Sequence, residues 1–400
     1  MNIRQHFAAV LVSLALIFTA CSSEKPEEKK TDAMRVSMDY TQSFSFTDKS
    51  MTYLANNGIL HFYDIDSGYD TVICSKANCR HEGASSSNPT PECDGYVEGP
   101  YTTCTAIIND NLYFIYTPDI KNNDYAGFST KKLCRAKTDG TSRKDIAEIS
   151  NAQSVSSACY NEGYLTLGYS NTFDEKGNDL EKSQSSICAI DLTDGTVISS
   201  SVKEGYQGQI RKIYFSDDVI TYAYFYLSEK IDYDDWDIES DEFSEYIKKI
   251  TKTEIIQFNI SDKKEKVIWS GSGTCESIDF GYACIVDTEP EIIRLSDMKT
   301  YSLGSEFTDC SLSIDEGGVI ISDYANSKYS FFDFKTETIR KIGTISESGY
   351  MIITAITDNK IFVTYTEKGD VALGYIEKED FYSGKFSSVK FIKNYDEDLT

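Results

Sequence analysis

One short pattern recurs from one end of this chain to the other. A run of β-branched and aromatic residues ends at an Asx- or Gly-rich turn. A second, more aromatic run follows, and a third ends at another Asp, Ser, Thr or Gly turn. The first turns are Asn56-Asn57-Gly58, Asn109-Asp110-Asn111, Asn161-Glu162-Gly163, Ser216-Asp217-Asp218, Phe280-Gly281, Asp315-Glu316-Gly317-Gly318 and Thr357-Asp358-Asn359. The second turns include Asp64 to Gly68, Lys137 to Gly140, Asp191 to Gly195, Asn259 to Asp262, Leu295 to Asp297 and Asp333 to Thr336. Between them lie runs such as Leu112-Tyr113-Phe114-Ile115-Tyr116 and Lys360-Ile361-Phe362-Val363-Thr364-Tyr365. Runs of this length, punctuated by residues that tolerate positive φ, predict short antiparallel strands joined by hairpins. Six units are clear, and a weaker seventh centres on Ile376 to Glu379.

A small sheet whose strands are apolar on both faces cannot cover itself. Repeats that stack radially solve the problem, because each sheet is then covered by two neighbours. The pattern therefore predicts an all-β fold, a β-propeller of about seven blades, over residues 36–400. An irregular β-sandwich or two β-domains are the competing arrangements. The early runs Val36 to Tyr40 and Phe44 to Phe46 are expected to complete the last blade and lock the ring. An acidic insertion at 228–252 interrupts the fourth unit. Within it Phe243, Tyr246, Ile247 and Ile250 fall at helical spacing, so a short amphipathic helix is expected. An EF-hand calcium loop needs a glycine at its sixth place, and this segment has none, which favours a solvated acidic loop.

The first residues, MNIRQHFAAVLVSLALIFTAC, read as an address. Arg4 supplies a positive start, and the apolar run Phe7 to Phe18 has the length of a signal-peptide core. Its end, Phe18-Thr19-Ala20-Cys21, resembles the lipobox of bacterial lipoproteins, with Phe18 where that pattern usually has Leu. The resemblance implies a signal peptide at 1–20, lipidation of Cys21 (a palmitate-type acyl anchor) and a membrane-bound protein facing outward, or the periplasm in a Gram-negative cell. Residues 21–35 begin with the charged stretch Ser22 to Lys30, which lacks apolar side chains and suits a disordered tether.

Cysteine and histidine cluster once. Cys74, Cys79, His81 and Cys93 fall within 20 residues, in a Ser-, Asn- and Pro-rich stretch where the first unit should end. Three thiolates and an imidazole supply a Cys3His set of the kind that binds structural zinc. Exported cysteines also form disulfides, so a Cys74–Cys93 or Cys79–Cys93 bridge is the other reading, and free thiols the third. The segment VICSKANCRHEG with its later Cys93 resembles a loop in propeller-like lipoproteins of clostridial and related Gram-positive bacteria, following a hairpin that here is Phe62-Tyr63-Asp64 to Gly68. That resemblance implies location and fold, and no reaction. Cys104, Cys275 and Cys310 precede their first turns, and Cys134 and Cys188 their second turns, at places that suit small packed side chains. Cys275 and Cys284 flank a hairpin and are alternatively a bridge.

The remaining features narrow function by exclusion. A net charge of −25 is unsuited to nucleic acid or to an anionic membrane surface. Beyond the leader only His61 and His81 offer an imidazole, and there is no zincin helix, P-loop, dinucleotide fingerprint or nucleophile elbow. His61 sits in an alternating run and reads as a packing residue. The expectation is a surface lipoprotein that binds a glycan, peptide or protein without catalysis, its 28 tyrosines suiting such a surface. An envelope glycan hydrolase or lyase on the same scaffold, and a structural part of an envelope complex, are the rivals.

Overall fold

The structure, a computed structural model, describes residues 35–394 except 40–41, 56, 89–90, 98–104, 117–130, 150–151, 153, 162, 175–177, 346–350 and 368–369. The expected signal segment, Cys21 and the expected tether up to residue 34, together with Asn56, Cys104 and Glu162, lie outside the described residues. After a leading strand β1 (Arg35–Asp39), the described strands pair as seven successive four-stranded antiparallel meanders. The first comprises β2 (Gln42–Phe46), β3 (Ser50–Leu54), β4 (Leu60–Asp64) and β5 (Tyr69–Val72). The second is β6 (Thr105–Ile108), β7 (Asn111–Tyr116), β8 (Lys131–Lys137) and β9 (Lys144–Ile149). The third is β10 (Ser154–Asn161), β11 (Tyr164–Phe173), β12 (Asp179–Asp191) and β13 (Val197–Ser199). The fourth is β14 (Lys203–Ser216), β15 (Val219–Leu227), β16 (Thr251–Asn259) and β17 (Lys264–Gly271). The fifth is β18 (Thr274–Asp279), β19 (Tyr282–Val286), β20 (Glu291–Arg294) and β21 (Lys299–Ser302). The sixth is β22 (Ser311–Asp315), β23 (Gly318–Asp323), β24 (Lys328–Asp333) and β25 (Thr338–Thr344). The last is β26 (Met351–Ile356), β27 (Lys360–Glu367), β28 (Asp370–Glu377) and β29 (Lys390–Asn394).

Alternation along each strand explains why the runs are apolar throughout. In β12, Ile187 and Ala189 pack toward the fourth meander, while Cys188 and Ile190 pack toward the second. In β23, Val319 and Ile321 face the fifth meander and Ile320 faces the last. Each junction is thus a dry cluster. Leu60 and Leu112 meet between the first and second meanders, and Leu133 and Leu167 between the second and third. Ala223 and Ile285 join the fourth to the fifth. Phe46 and Met51 of the first meander pack with Phe362 and Leu373 of the last, with Phe46 and Phe362 ring centroids 4.5 Å apart. The series closes on itself, and the fold is a β-propeller. Burying side chains such as these contributes about 1.5–3 kcal/mol each.

The manner of closure departs from expectation. The early strands do not complete the last meander, which has its own fourth strand in β29. The turn at Asn57-Gly58 joins β3 to β4, whereas the corresponding turns elsewhere join the first strand to the second. The first meander's own first turn is Thr47-Asp48-Lys49, which lacks the Asn-Gly signature. Strand β2 is therefore an inner strand, and β1 adds to its free edge from Arg35↔Phe46 to Asp39↔Gln42, meeting β10 at Arg35↔Cys159. Side chains supply the closure. Asp48 Oδ1 accepts from Thr357 Oγ1 (2.5 Å) and Asn359 N (3.0 Å), and Oδ2 accepts from Asn359 Nδ2 (2.6 Å). Asp70 accepts from Tyr53 OH (2.7 Å) and His61 Nδ1 (3.2 Å) and pairs with Lys393 Nζ of the last strand (2.6 Å).

The two ends of the ring differ. Antiparallel order puts first-to-second and third-to-fourth turns at one end, and the other connections at the opposite end. The first end carries tight turns, apart from helix α2 (Lys378–Tyr382) in the last meander. Here Asp315, 5% exposed, pairs with Lys378 Nζ and accepts from Tyr382 OH, each at 2.6 Å. Among the described residues, the opposite end carries the elaborations: the 73–97 part of the connection to the second meander, and the insertion. That insertion folds as expected into helix α1 (Asp241–Ile250), capped by Ser240 Oγ accepting from Phe243 N at 3.1 Å. Its aromatic side packs inward, with Trp236 stacked on Tyr246 at 4.4 Å.

Two outcomes follow for closure. Asp48→Ala should cost about 1–3 kcal/mol in denaturant unfolding, with amide exchange accelerated first in the first and last meanders; acceleration spread evenly round the ring would contradict side-chain closure. Burial raises the carboxyls of Asp48 and Asp70, but the hydrogen bonds they accept outweigh it and hold both below the ordinary range. Their contribution is complete above the unfolded value of about 3.9 and is lost as pH falls through the lowered folded values. Urea midpoints should therefore drop below about pH 4, and drop less in an Asp48→Asn, Asp70→Asn variant.

Candidate functional site

The 73–104 connection runs from the fourth strand of one meander to the first strand of the next. Among its described residues only Ile73 and Val97 enter the junction core. Backbone ties fix its course instead. Leu60 N donates to Gly95 O (2.8 Å), Val97 N to Gly58 O (2.8 Å) and Ala84 N to Asn57 O (2.9 Å). Lys76 Nζ pairs with Asp94 Oδ1 at 3.0 Å and also donates to Glu92 O. From the second meander, Gly140 at φ 81° packs so closely that a Cβ there would lie 2.8 Å from Cys74 N. Arg143 reaches Asp94 O and lies 5.0 Å over the Phe114 ring. The loop is held by both meanders it joins.

Within it the cysteine–histidine set comes together. Cys74 N donates to Val72 O at 2.8 Å as β5 ends. Asn78 at φ 59° and His81 at φ 54° turn the chain back through the left-handed region, where Asn and His are among the tolerated types. One donor atom from each of Cys74, Cys79, His81 and Cys93 lies within 4.8 Å of all the others. Cys93 Sγ and His81 Nδ1 are 3.6 Å apart. Donors around a tetrahedral zinc lie about 3.3–3.8 Å from one another, so a contraction of roughly an ångström would seat an ion. No disulfide joins Cys74, Cys79 and Cys93 in this structure. Burial acts to raise Cys74, but the Lys76 and Asp94 N–H groups and the facing thiols hold it below its ordinary value. Burial pushes the Cys93 thiol up to about 12. Three soft sulfurs and an imidazole at this spacing can hold a metal ion.

The other cysteines among the described residues are also free. Cys275 and Cys284 face opposite junctions of the fifth meander, which explains why they do not bridge. Cys134 and Cys188 are fully buried and pack as small apolar groups, and burial raises the Cys188 and Cys284 thiols to about 12. His61 stacks on Tyr53 at 4.7 Å and serves the closure at Asp70.

Sequence reasoning did not find the second feature, a cavity of about 530 Å³ on the axis. The inner strands β10, β14, β18, β22 and β26 line it, with Tyr324. Ser157, Ser277, Ser313 and Thr354 line it beside Arg211, Glu276 and Tyr214. Bulges at Val155/Ser157, Ile210/Lys212, Cys275/Ser277 and Ile353/Ala355 bend four of these strands at matching places. The serines at the bulges cross to the next meander: Ser156 Oγ donates to Ile210 O (2.6 Å) and Ser277 Oγ to Leu312 O (3.1 Å). No local pattern reveals such a cavity, because its lining residues are spread over five meanders.

No known protein family matches this chain, and no curated protein matches it. Among solved structures, 515 chains are similar. The β-propeller domain of the Trilobed protease from Pyrococcus furiosus, described as having an open velcro topology, is 12% identical over 92% of this chain and 100% of its own, with a TM-score of 0.47. Pyrococcus horikoshii acylaminoacyl peptidase is 14% identical over 67% of this chain and 43% of its own, with a TM-score of 0.43. Porphyromonas gingivalis dipeptidyl peptidase 4 is 9% identical over 87% of this chain and 52% of its own, with a TM-score of 0.40. This chain thus spans about half the length of these two peptidases.

Proposed function

We propose that this protein is a lipid-anchored recognition module of the bacterial cell surface, binding a glycan, peptide or protein without catalysis. The observation that carries the reading is the polarity of the ring. Arg35 pairs with Phe46, so the chain enters the propeller at the tight-turn end. A lipid on Cys21 would hold that end toward the membrane. The described part of the 73–97 loop and helix α1 lie at the opposite end, and the axial cavity has a size that suits a small ligand or a peptide segment. Both histidines of the propeller are engaged elsewhere, His61 by Asp70 and His81 beside Cys93, which supports binding over acid–base chemistry. Among the described residues no helix is long and apolar enough to cross a membrane. In this reading Cys74, Cys79, His81 and Cys93 hold a structural zinc ion that staples the outward loop to the first two meanders.

Three measurements test it. Cys21→Ala should move the protein from the membrane fraction to the soluble fraction and abolish incorporation of a palmitate analogue; continued membrane retention would end the anchoring argument. Protein purified without chelator should carry one zinc per chain by elemental analysis, and Cys79→Ser should reduce that at least tenfold. Chelation should leave the ring folded but expose Cys74 and Cys79 to thiol reagents, while Cys134, Cys188 and Cys284 react only after unfolding. Zinc-free protein whose Cys74 or Cys79 forms a bridge with Cys93 would replace the metal by a disulfide. Glycan and peptide arrays would then define the ligand class, and turnover of an arrayed glycan would favour the hydrolase rival.

A further inference from the structure

An inner strand of a propeller pairs on one side only unless a further segment is added to it, as at β2, β10 and β14 here. Here β18, β22 and β26 end their sheets, so one backbone edge of each borders the axial cavity. Antiparallel alternation decides which groups lie on that edge. In β22, Leu312 turns its carbonyl away from β23, and the Ser277 hydroxyl of the neighbouring meander donates to it at 3.1 Å. In β26, Ile353 N likewise turns outward and donates to Tyr324 OH at 3.3 Å. These edges therefore accept partners from outside their own sheets. By the same alternation Ile278 and Ile356 direct their N–H and C=O groups away from β19 and β27.

The chain itself shows what kind of partner fits. Strand β1 is an extended segment seated at the axis, paired along the inner edge of β2 over five residues and meeting β10. It occupies one side of the axis, and the cavity lies along the inner strands of the other meanders. Resting on the recognition role proposed above, we infer that the axial cavity receives an extended polypeptide segment as an added strand, held by main-chain hydrogen bonds to the inner edges of β18 and β26. Affinity then comes from the backbone, and the hydroxyl-rich, partly apolar wall selects side chains at alternate positions. The segment enters from the elaborated end, because the chain's own N-terminal connection leaves at the other.

The test uses the full-length chain in detergent micelles and a random nonapeptide library. The tightest peptide should protect the amides of Ile278 and Ile356 from hydrogen exchange at least tenfold. N-methylation of its alternate backbone nitrogens should weaken binding at least tenfold, while methylation in the other register should not. Ser313→Trp, which fills the cavity, should abolish binding with the melting curve retained. Should that variant not fold, Ser157→Trp on a different strand serves, and the exchange experiment needs no variant. No enriched peptide, protection confined to the outer loops, or indifference to N-methylation would overturn the inference. A glycan that binds and is blocked by Ser313→Trp would also overturn it, yet leave the recognition role standing.

Discussion

Every part of this molecule depends on two-sided burial. A four-stranded sheet with apolar residues at successive positions has no solvent face, so it is stable only between two others. A ring is the arrangement in which that condition holds for every member with no sheet left at an end. The cost is that one junction must join chain termini far apart in sequence. Here that junction is tied by two hydrogen-bonded aspartates. Asp48 spans to Thr357 and Asn359, and Asp70 gathers Tyr53, His61 and Lys393. Charged groups with several hydrogen-bond partners are strong and directional, which fixes register where apolar contact alone would not.

The same geometry separates the two ends of the ring by task. Apart from the connection that carries helix α2, the described turns at one end are short and rich in Asp, Asn and Gly, and they leave little surface to vary. Connections at the other end are free to lengthen, because they leave the packed sheets undisturbed. The 73–104 loop shows the consequence of lengthening. Its described part places only Ile73 and Val97 in the core, brings its own thiols and imidazole together, and is held by backbone ties to the first meander and by Arg143 and Gly140 of the second. The helix of the insertion meets the same problem differently, by laying Trp236, Phe243 and Tyr246 against the extended strands of the fourth meander.

Much of this was legible in the residues. Asx and Gly turns at the hairpins, β-branched and aromatic runs between them, and the spacing of Phe243, Tyr246, Ile247 and Ile250 all act locally, so they can be read along the chain. So can the Cys74, Cys79, His81 and Cys93 set, whose members are close in sequence. The error lay at the first repeat. The strong Asn-Gly signal at the β3–β4 turn masked the weaker Thr47-Asp48-Lys49 turn, and the reading of β2 shifted by one strand. An early strand that belonged to the first meander was assigned to the last.

Residue order by itself settled the strand content, the hairpins and the residue types of the cysteine–histidine loop, since each follows from propensity or spacing over a few residues. Tertiary structure alone decided how the ring closes, which inner edges remain open along the axis, and that Asp70 meets Lys393. Those contacts join residues hundreds of positions apart, and their partners are chosen by the packing of whole sheets rather than by any neighbour in the chain.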